Sequence, residues 1–452
     1  MKKFAVYIRK NAGRKSIPAN FSEQVLKNAK TLAEFYKFDV QDFDIEKKEV
    51  QEKRPVVWCN SEEILDEIIQ RRNSVGNFII KVMADGGKGF FKVCMCIILE
   101  YYVSHQNLDD ENAEKRLKPD KMTSVHKLIM LCIVPNIKES YDNVKKLFEL
   151  IKINDIPFKF VADFKLLLII NRQQTARATF PCPYCFVSLQ TLKTRSELEN
   201  HEQEDQEIEF KTYGDLRKDY EAFTLLGGNA LLAMTCHSTV NAPLFQEPDD
   251  MPVIEKCVVP ELHVMQGIVN HIFWKGLVPL LGREKALIWP RHLKLISKSY
   301  HGDSFEGNAC RKMLKKPDFL FNNEVCGHVG GSIVLVPYVS ALKALDKIVH
   351  DCFSNVRYGE NLQLCISDFK KSLAATNISE ILKIHVCINH LEECLEYFDE
   401  EEGLGVWSEQ AGEAIHHEFL KFWNRRKLND IMDPNYPIKL LEAVVDFSSK
   451  HI

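Results

Sequence analysis

Two aspartates, Asp85 and Asp163, stand at the ends of apolar segments that are typical of buried strands. The segments are FIIKVMADGG (78–87) and FKFVADFKLLL (158–168). A buried carboxylate without a partner is costly, whereas two carboxylates side by side form a hard-oxygen site for Mg²⁺ or Mn²⁺. The alternative is an arbitrary α/β domain, because aspartate is also a common turn former at strand ends.

A second group of residues could bind zinc. Cys182 and Cys185 in PCPYC form a Cys-x-x-Cys pair, the usual half-site for tetrahedral zinc, although such a pair can also be a redox motif. His385 and His390 in KIHVCINHLEE have a spacing suited to a second half-site, with Cys387 between them as a competing ligand. Joined together, the two half-sites would close a long inserted domain; otherwise the histidines are surface residues of a helix.

The elements around the two aspartates follow a recognisable order. Gly86 and Gly87 predict a turn after the first strand, a charged loop spans 104–122, and Ser140 is a candidate N-cap. In chain order the sequence predicts strands at 78–86, 90–102 and 124–134, an amphipathic helix at 140–153, a short strand that ends at Asp163, and a helix from 164. This β-β-β-α-β order is that of ribonuclease H, in which strands one and four are adjacent. It would place both aspartates within reach of one metal pair.

Composition narrows the class of protein only a little. The chain has 452 residues, of which 45% are hydrophobic and 27% charged, as in ordinary globular proteins. No apolar run reaches the roughly 18–20 residues of a membrane span, and the basic N-terminus lacks a signal-peptide core. The 14 cysteines are typical of reduced intracellular thiols. The net charge of −4 does not indicate a nucleic-acid binder, but RKMLKK (311–316) and NRRK (424–427) are basic patches.

Several motifs recur in the order of a known family. VMAD (82–85) ends the first strand, and Cys182 follows Asp163 by 19 residues. The distal His-x4-His pair comes next, and Trp407, Glu413 and Phe419 are spaced six residues apart. In these motifs, and in the segment 300–314, the chain resembles the Transib transposases and their domesticated relative, the catalytic subunit of the V(D)J recombinase.

The resemblance implies a third catalytic carboxylate, Glu413. It departs from the family at His416, where the family has asparagine, and this leaves Glu409 as an alternative third carboxylate. By resemblance, Asp85, Asp163 and Glu413 bind two Mg²⁺ or Mn²⁺ ions that hydrolyse DNA and transfer strands. Zn²⁺ on Cys182, Cys185, His385 and His390 is structural.

The resemblance also implies the partners and the domain layout. We expect double-stranded DNA at transposon ends, a homodimer and a nuclear location, with no membrane association. The candidate DNA-binding residues are Arg311, Lys312, Lys315, Lys316, Arg425 and Arg426. The predicted fold is α/β: an N-terminal region of unclear role (1–75), a ribonuclease-H-like mixed-sheet core (76–180), a mainly helical zinc-binding insertion (181–400) and C-terminal helices that complete the active site (401–452).

Two functions from different classes follow from these observations. The first is a DNA transposase or recombinase-like nuclease with a site of two aspartates and one glutamate. The second is a domesticated, catalytically silent DNA-binding or scaffold protein of the same fold. The presence of all three carboxylates favours the first. The second is favoured by the N-terminal 77 residues, in which no zinc finger or helix-turn-helix pattern is found.

Overall fold

The computed structural model shows a mixed α/β protein whose chain divides into two units. It describes residues 36–47, 50–72, 78–99, 128–171, 173–174, 177–197, 208–298, 303–327, 329–358, 361–398, 402–426 and 428–448. Unit 1 comprises Met1–Asp110, Ser124–Phe158 and Ala411–Ile452, and unit 2 comprises Glu111–Thr123 and Lys159–Gln410. The predicted loop 104–122, the end of the second predicted strand (100–102) and the start of the third (124–127) lie outside the described residues.

Unit 1 is built on an antiparallel sheet. Its strands pair in the order β1-β2-β5-β4-β3, and every neighbouring pair is antiparallel. The strands are β1 (Asp39–Lys47), β2 (Val50–Trp58), β3 (Phe78–Gly87), β4 (Phe90–Leu99) and β5 (Ile129–Pro135). β5 is buried along its whole length, as an interior strand covered on both faces should be.

In the described part of unit 1, four helices accompany this sheet. They are α1 (Ser61–Arg72) and α2 (Tyr141–Leu150), followed near the C-terminus by α17 (Gln410–Trp423, of which only Gln410 belongs to unit 2) and α18 (Tyr436–Ser448). A 3-10 turn at Ile153–Asp155 follows α2. Helix α18 packs on β1, β2 and β5, and the ring of Phe90 in β4 meets Phe419 and Trp423 of α17 edge-on. The C-terminal segment therefore belongs to the core of this unit.

Strands β1 and β2 extend the sheet on the N-terminal side of the predicted core, in the region whose role the sequence left unclear. In β1, Phe43 and Ile45 are buried while Asp42 and Asp44 are exposed, the two-residue period of a strand with one face on the core.

Unit 2 is mainly helical, and among its described residues one strand is found, β6 (Lys159–Val161). A parallel bridge joins Phe160 to Cys257, and Val258 N–H donates to the Phe160 carbonyl at 2.9 Å. The α-helices up to residue 292 are α3 (Phe164–Ile170), α4 (Leu189–Glu197), α5 (Tyr213–Leu225), α6 (Val253–Lys256), α7 (Glu261–His271), α8 (Val278–Leu281), α9 (Arg283–Ala286) and α10 (Ile288–His292).

Further helices follow in the second half of unit 2. They are α11 (Gly307–Leu314), α12 (Asn323–Cys326), α13 (Val329–Cys352), α14 (Leu362–Ala374), α15 (Leu382–Asn389) and α16 (Leu391–Glu396). A π-helical segment, Ile272–Leu277, continues α7, and 3-10 turns lie at Ala233–Cys236, Pro317–Phe321 and Leu404–Trp407. Helices α13 and α14 pack against each other, and α7 packs against α11 and α15. No described helix is both long and apolar enough to cross a membrane.

Candidate functional site

Unit 2 contains a tetrad of metal-binding side chains. One ligand atom from each of Cys182, Cys185, His385 and His390 lies within 4.8 Å of the other three. The Cys182 Sγ to His390 Nε2 distance is 3.4 Å, Cys185 Sγ to His385 Nε2 is 3.2 Å, and the two Nε2 atoms are 3.1 Å apart. A tetrahedral zinc ion with bonds of about 2.0–2.3 Å separates its ligands by roughly 3.3–3.8 Å, so the tetrad approaches zinc geometry.

Short backbone contacts hold the Cys-x-x-Cys turn in place. Cys185 forms an antiparallel bridge with Phe210, and Lys211 N–H donates to the Tyr184 carbonyl at 2.8 Å. The buried Lys211 ammonium donates to the Cys182 carbonyl at 2.7 Å. The segment around Lys211 therefore holds the Cys-x-x-Cys turn through these hydrogen bonds. Thr212, the next residue, is the N-cap of α5.

The two histidines reach the tetrad from the end of α15. His385 lies inside this helix and His390 directly follows it, between α15 and α16. All four ligand side chains are almost completely buried. Buried thiols and imidazoles are the donor set of closed structural zinc sites, so the residues fit a zinc ion.

The two thiols of the tetrad interact, and their hydrogen bond raises the pKa of Cys185 while it lowers that of Cys182. Burial raises the pKa of the Cys182 thiol, but its hydrogen bond with Cys185 and the charge of Lys211 outweigh burial and bring the pKa below the ordinary value. The competing Cys387 is not in the tetrad, and burial raises the pKa of its thiol far above the usual range. Cys387 therefore behaves as an apolar core residue.

In unit 1, the carboxylate of Asp85 at the end of β3 is held by a histidine from α17. His416 Nε2 lies 2.7 Å from Asp85 Oδ2, across 331 residues of chain. On its other side, His416 Nδ1 hydrogen-bonds the ammonium of Lys92. Lys92 is directly opposite Asp85 in the β3–β4 register and is only 1% exposed. Burial lowers the pKa of Lys92 to about 8, so the ammonium form predominates at neutral pH.

The two glycines after Asp85 are explained by this packing, and the turn predicted at Gly86 and Gly87 is wrong. Strand β3 continues through Gly87, and the turn lies at Lys88 and Gly89, which have φ values of 51° and 80°. Positive φ at both central residues matches a two-residue hairpin loop. A Cβ on Gly87 would lie 2.8 Å from His416 Nε2, and a Cβ on Gly86 would overlap the carboxylate of Glu139. Both glycines are needed for close approach.

The candidate third carboxylates, Glu413 and Glu409, have different surroundings. Glu413 lies in the first turn of α17, three residues before His416, so both side chains project from one face of the helix. Glu409 precedes α17 and belongs to unit 2, where its Oε1 lies 2.8 Å from both the backbone N and Nδ1 of His263. Glu409 Oε2 has no hydrogen-bond partner among the described residues.

Asp163 lies two residues after the end of β6, so the short strand ends slightly earlier than predicted. Asp163 is the N-cap of α3, and its side chain accepts a hydrogen bond from Leu166 N–H at 2.8 Å. Burial lowers the pKa of Lys383, while the charges of Asp163 and Glu409 oppose that shift. Within unit 2, the charges of Asp163 and Glu409 therefore both stabilise the ammonium form of Lys383.

The six candidate DNA-binding residues fall into two groups. Lys312, Lys315, Lys316 and Arg425 are exposed. Arg311 pairs with the buried Glu261 at 3.3 Å, and Arg426 pairs with Asp446 and Glu442. Ion pairs within the chain therefore already engage two of the six.

The sequence did not predict the surroundings of Asp85 and Gly86. They comprise the buried Lys92, the neighbouring Glu139, and the contact that His416 makes with Asp85. A signal existed for Lys92, because a lysine inside the apolar run FFKVCMCIIL has to find a partner when it is buried. No local signal marks Glu139 or His416, since both contacts join distant parts of the chain.

Comparisons with known proteins do not assign the chain to a family. No protein-family model matches the chain, and no curated protein matches it either. Any functional assignment therefore rests on the side chains described above.

Proposed function

We propose that this chain is a divalent-metal-dependent DNA nuclease that also transfers strands, with Asp85, Glu413 and Asp163 as its catalytic carboxylates. The observation that carries the proposal is the 2.7 Å contact between His416 and Asp85. It brings α17, the helix that carries Glu413, onto the end of β3. The role of Asp163 as a catalytic carboxylate, and the ribonuclease-H-like class of the fold, rest on the resemblance to the Transib transposases alone.

The donor set suits a hard divalent cation. Carboxylate oxygens are preferred by Mg²⁺ and Mn²⁺, and Asp85 and Glu413 are only partly buried, so substrate phosphate can reach them. A bound Mg²⁺ or Mn²⁺ would activate the attacking water or DNA 3′-hydroxyl and stabilise the leaving oxygen. In this proposal the carboxylates bind and orient, and no side chain forms a covalent intermediate.

The other parts of the chain have supporting roles in this proposal. The tetrad binds zinc and holds the Cys-x-x-Cys turn to the end of α15. Double-stranded DNA at transposon ends is the substrate, and the exposed Lys312, Lys315, Lys316 and Arg425 contact its phosphates. We propose a homodimer in the nucleus as the working form.

Cleavage of a labelled DNA duplex by the purified full chain tests the proposal. With Mn²⁺ or Mg²⁺ the wild type should cut DNA, and Asp85→Asn, Asp163→Asn and Glu413→Gln should each lower the rate at least 100-fold, on the order of 3 kcal/mol of lost transition-state stabilisation. DNA binding should remain, because these changes remove charge with little change in volume. A wild type that never cuts DNA contradicts the proposal.

Glu409→Gln is the matched control for Glu413→Gln. Glu409 is bonded to His263, so its replacement should alter stability more than cleavage. If Glu409→Gln abolishes cleavage and Glu413→Gln does not, then Glu409 is the third carboxylate and the assignment of Glu413 is one helical turn out.

A catalytically silent DNA-binding or scaffold protein is the second candidate, and one observation favours it. Asp85 Oδ2 is already bonded by His416 without a metal ion, so this carboxylate is partly satisfied by the protein alone. DNA binding without cleavage in either Mn²⁺ or Mg²⁺, unchanged by Asp85→Asn, would select this function.

A further inference from the structure

Three residues of unit 1 form a continuous hydrogen-bonded chain that ends at Asp85. Lys92 Nζ bonds His416 Nδ1, and His416 Nε2 bonds Asp85 Oδ2. Lys92 is 1% exposed and His416 is 6% exposed, so water does not compete strongly for either group. A buried lysine and a buried histidine are costly, and their retention beside this carboxylate needs a reason.

The surroundings of Lys92 fix the direction of the hydrogen bonds. Its nitrogen lies 5.5 Å from the ring centre of Phe90 and 5.7 Å from that of Phe419, which is cation–π range. An ammonium has only donors, so His416 Nδ1 must accept from it. The proton of the neutral imidazole is then on Nε2, and it is donated to Asp85.

We propose that His416 is a positioning residue that fixes the carboxylate of Asp85 in one orientation, with Lys92 holding the other ring nitrogen of His416. One carboxylate oxygen, Oδ2, is then occupied, and Asp85 offers Oδ1 to a divalent ion as a single ligand atom. The metal part of this inference rests on the proposed function; the tautomer part does not. Gly87 leaves room for the imidazole ring of His416, because a Cβ at this position would lie 2.8 Å from His416 Nε2.

The metal-free protein tests the chain of hydrogen bonds directly. In the full chain labelled with ¹⁵N-histidine, the His416 signals, assigned by their absence in His416→Asn, should show the proton on Nε2. Lys92→Met removes the donor to Nδ1 while the carboxylate of Asp85 still accepts from Nε2. The proton should then stay on Nε2, and the Nδ1 signal should move to the position of a ring nitrogen without a hydrogen bond. A wild-type His416 with its proton on Nδ1, or no change in Lys92→Met, would overturn the inference.

Calorimetric titration with MnCl₂ tests the effect on the metal. Partners that bond a metal-binding carboxylate typically contribute 10–100-fold to affinity, so His416→Ala should weaken binding by about tenfold or more. In His416→Gln the amide nitrogen reaches the position of Nε2 and can donate an N–H to the same oxygen, so this variant should recover most of the affinity. The neighbouring, exposed His417 gives the matched control, and His417→Ala should bind Mn²⁺ as the wild type does.

Thermal unfolding without metal separates positioning from a folding defect. If His416→Ala and His416→Gln melt at similar temperatures but only the glutamine variant binds Mn²⁺ well, the positioning role is supported. Equal affinity of wild type and His416→Ala, in a protein whose Asp85→Asn variant loses Mn²⁺, overturns it. If Asp85→Asn binds Mn²⁺ as well as the wild type, the proposed function fails, and the tautomer measurement alone then decides the role of His416.

Discussion

The two candidate metal-binding regions of this protein are built on opposite principles. In unit 2, Cys182, Cys185, His385 and His390 point their donor atoms at one another within 4.8 Å. In unit 1, the carboxylate of Asp85 is hydrogen-bonded to His416, which is in turn hydrogen-bonded to Lys92. The first arrangement has little reason to exist without a metal ion, whereas the second is largely satisfied without one.

The difference follows from the chemistry of the ligands. Thiolates and imidazoles in a dry interior bind zinc tightly and need no access for substrate, so the site can be closed. A carboxylate that serves a reacting phosphate has to stay accessible, and an accessible carboxylate needs hydrogen bonds that hold its orientation. A fully buried tetrad and a half-buried carboxylate with a buried partner fit these two requirements.

Removal of one thiol should have the largest effect and tests the closed site. Cys182→Ser should lower the zinc content of the purified protein and destabilise unit 2 by several kcal/mol, because structural zinc supplies about 10–16 kcal/mol of binding free energy in small zinc domains. Zinc content by mass spectrometry and thermal unfolding measure the two effects. Cys387→Ser is the control; it should keep its zinc, and a loss of zinc there would make Cys387 a ligand.

The second effect concerns the buried cation behind Asp85 and its dependence on pH. The pKa of Lys92 is lowered by burial from 10.5 to about 8. Between these values the unfolded chain binds more protons than the folded chain, so stability rises with pH. The pKa difference, 10.5 − 8, corresponds to a cost of burying the Lys92 ammonium on the order of 3 kcal/mol, at 1.36 kcal/mol for each pKa unit. This cost is present in full below pH 8 and is lost by about pH 10.5.

The comparison of wild type with Lys92→Met isolates this contribution, since other groups titrate alike in both proteins. Denaturant unfolding between pH 7 and pH 10.5 should show the wild type gaining stability relative to Lys92→Met as the pH rises. A constant difference between the two proteins would mean that Lys92 is not desolvated.

The tetrad of cysteines and histidines could be predicted from the sequence because each half-site is local. Spacings of two and four intervening residues place the ligands on one turn, and only the meeting of the two halves depends on the fold. Asp163 near the end of a short strand, and the helix that begins at Phe164, follow from local pattern in the same way.

The environment of Asp85 could not be predicted in this way. The role of Gly86 and Gly87 depends on Glu139 and on His416, which approach opposite faces of β3 from distant parts of the chain. A glycine pair at the end of an apolar strand indicates a turn when read locally, and the neighbours that exclude a side chain are set by tertiary packing alone. Strands β1 and β2 could have been predicted from the sequence, because apolar and charged residues alternate with a two-residue period in β1.

The smallest effect should come from a single methyl group, and it tests whether His416 is held as firmly as the tetrad. In Gly87→Ala the new Cβ would lie 2.8 Å from His416 Nε2. The ring cannot turn aside without losing its bonds to Asp85 and Lys92, so the substitution should cost about 1–3 kcal/mol of stability. Denaturant unfolding measures the cost, and titration with MnCl₂ should show weaker binding.

Gly86→Ala adds the same methyl group on the opposite face of β3. There it meets the far end of the Glu139 side chain instead of a ring. The end of an open side chain can shift more easily than a ring bonded at both nitrogens, so Gly86→Ala should cost less than Gly87→Ala. The two substitutions add the same methyl group at adjacent positions of β3 and displace different groups. If they cost the same, the ring of His416 is no more constrained than the side chain of Glu139, and Asp85 has no firmly held partner.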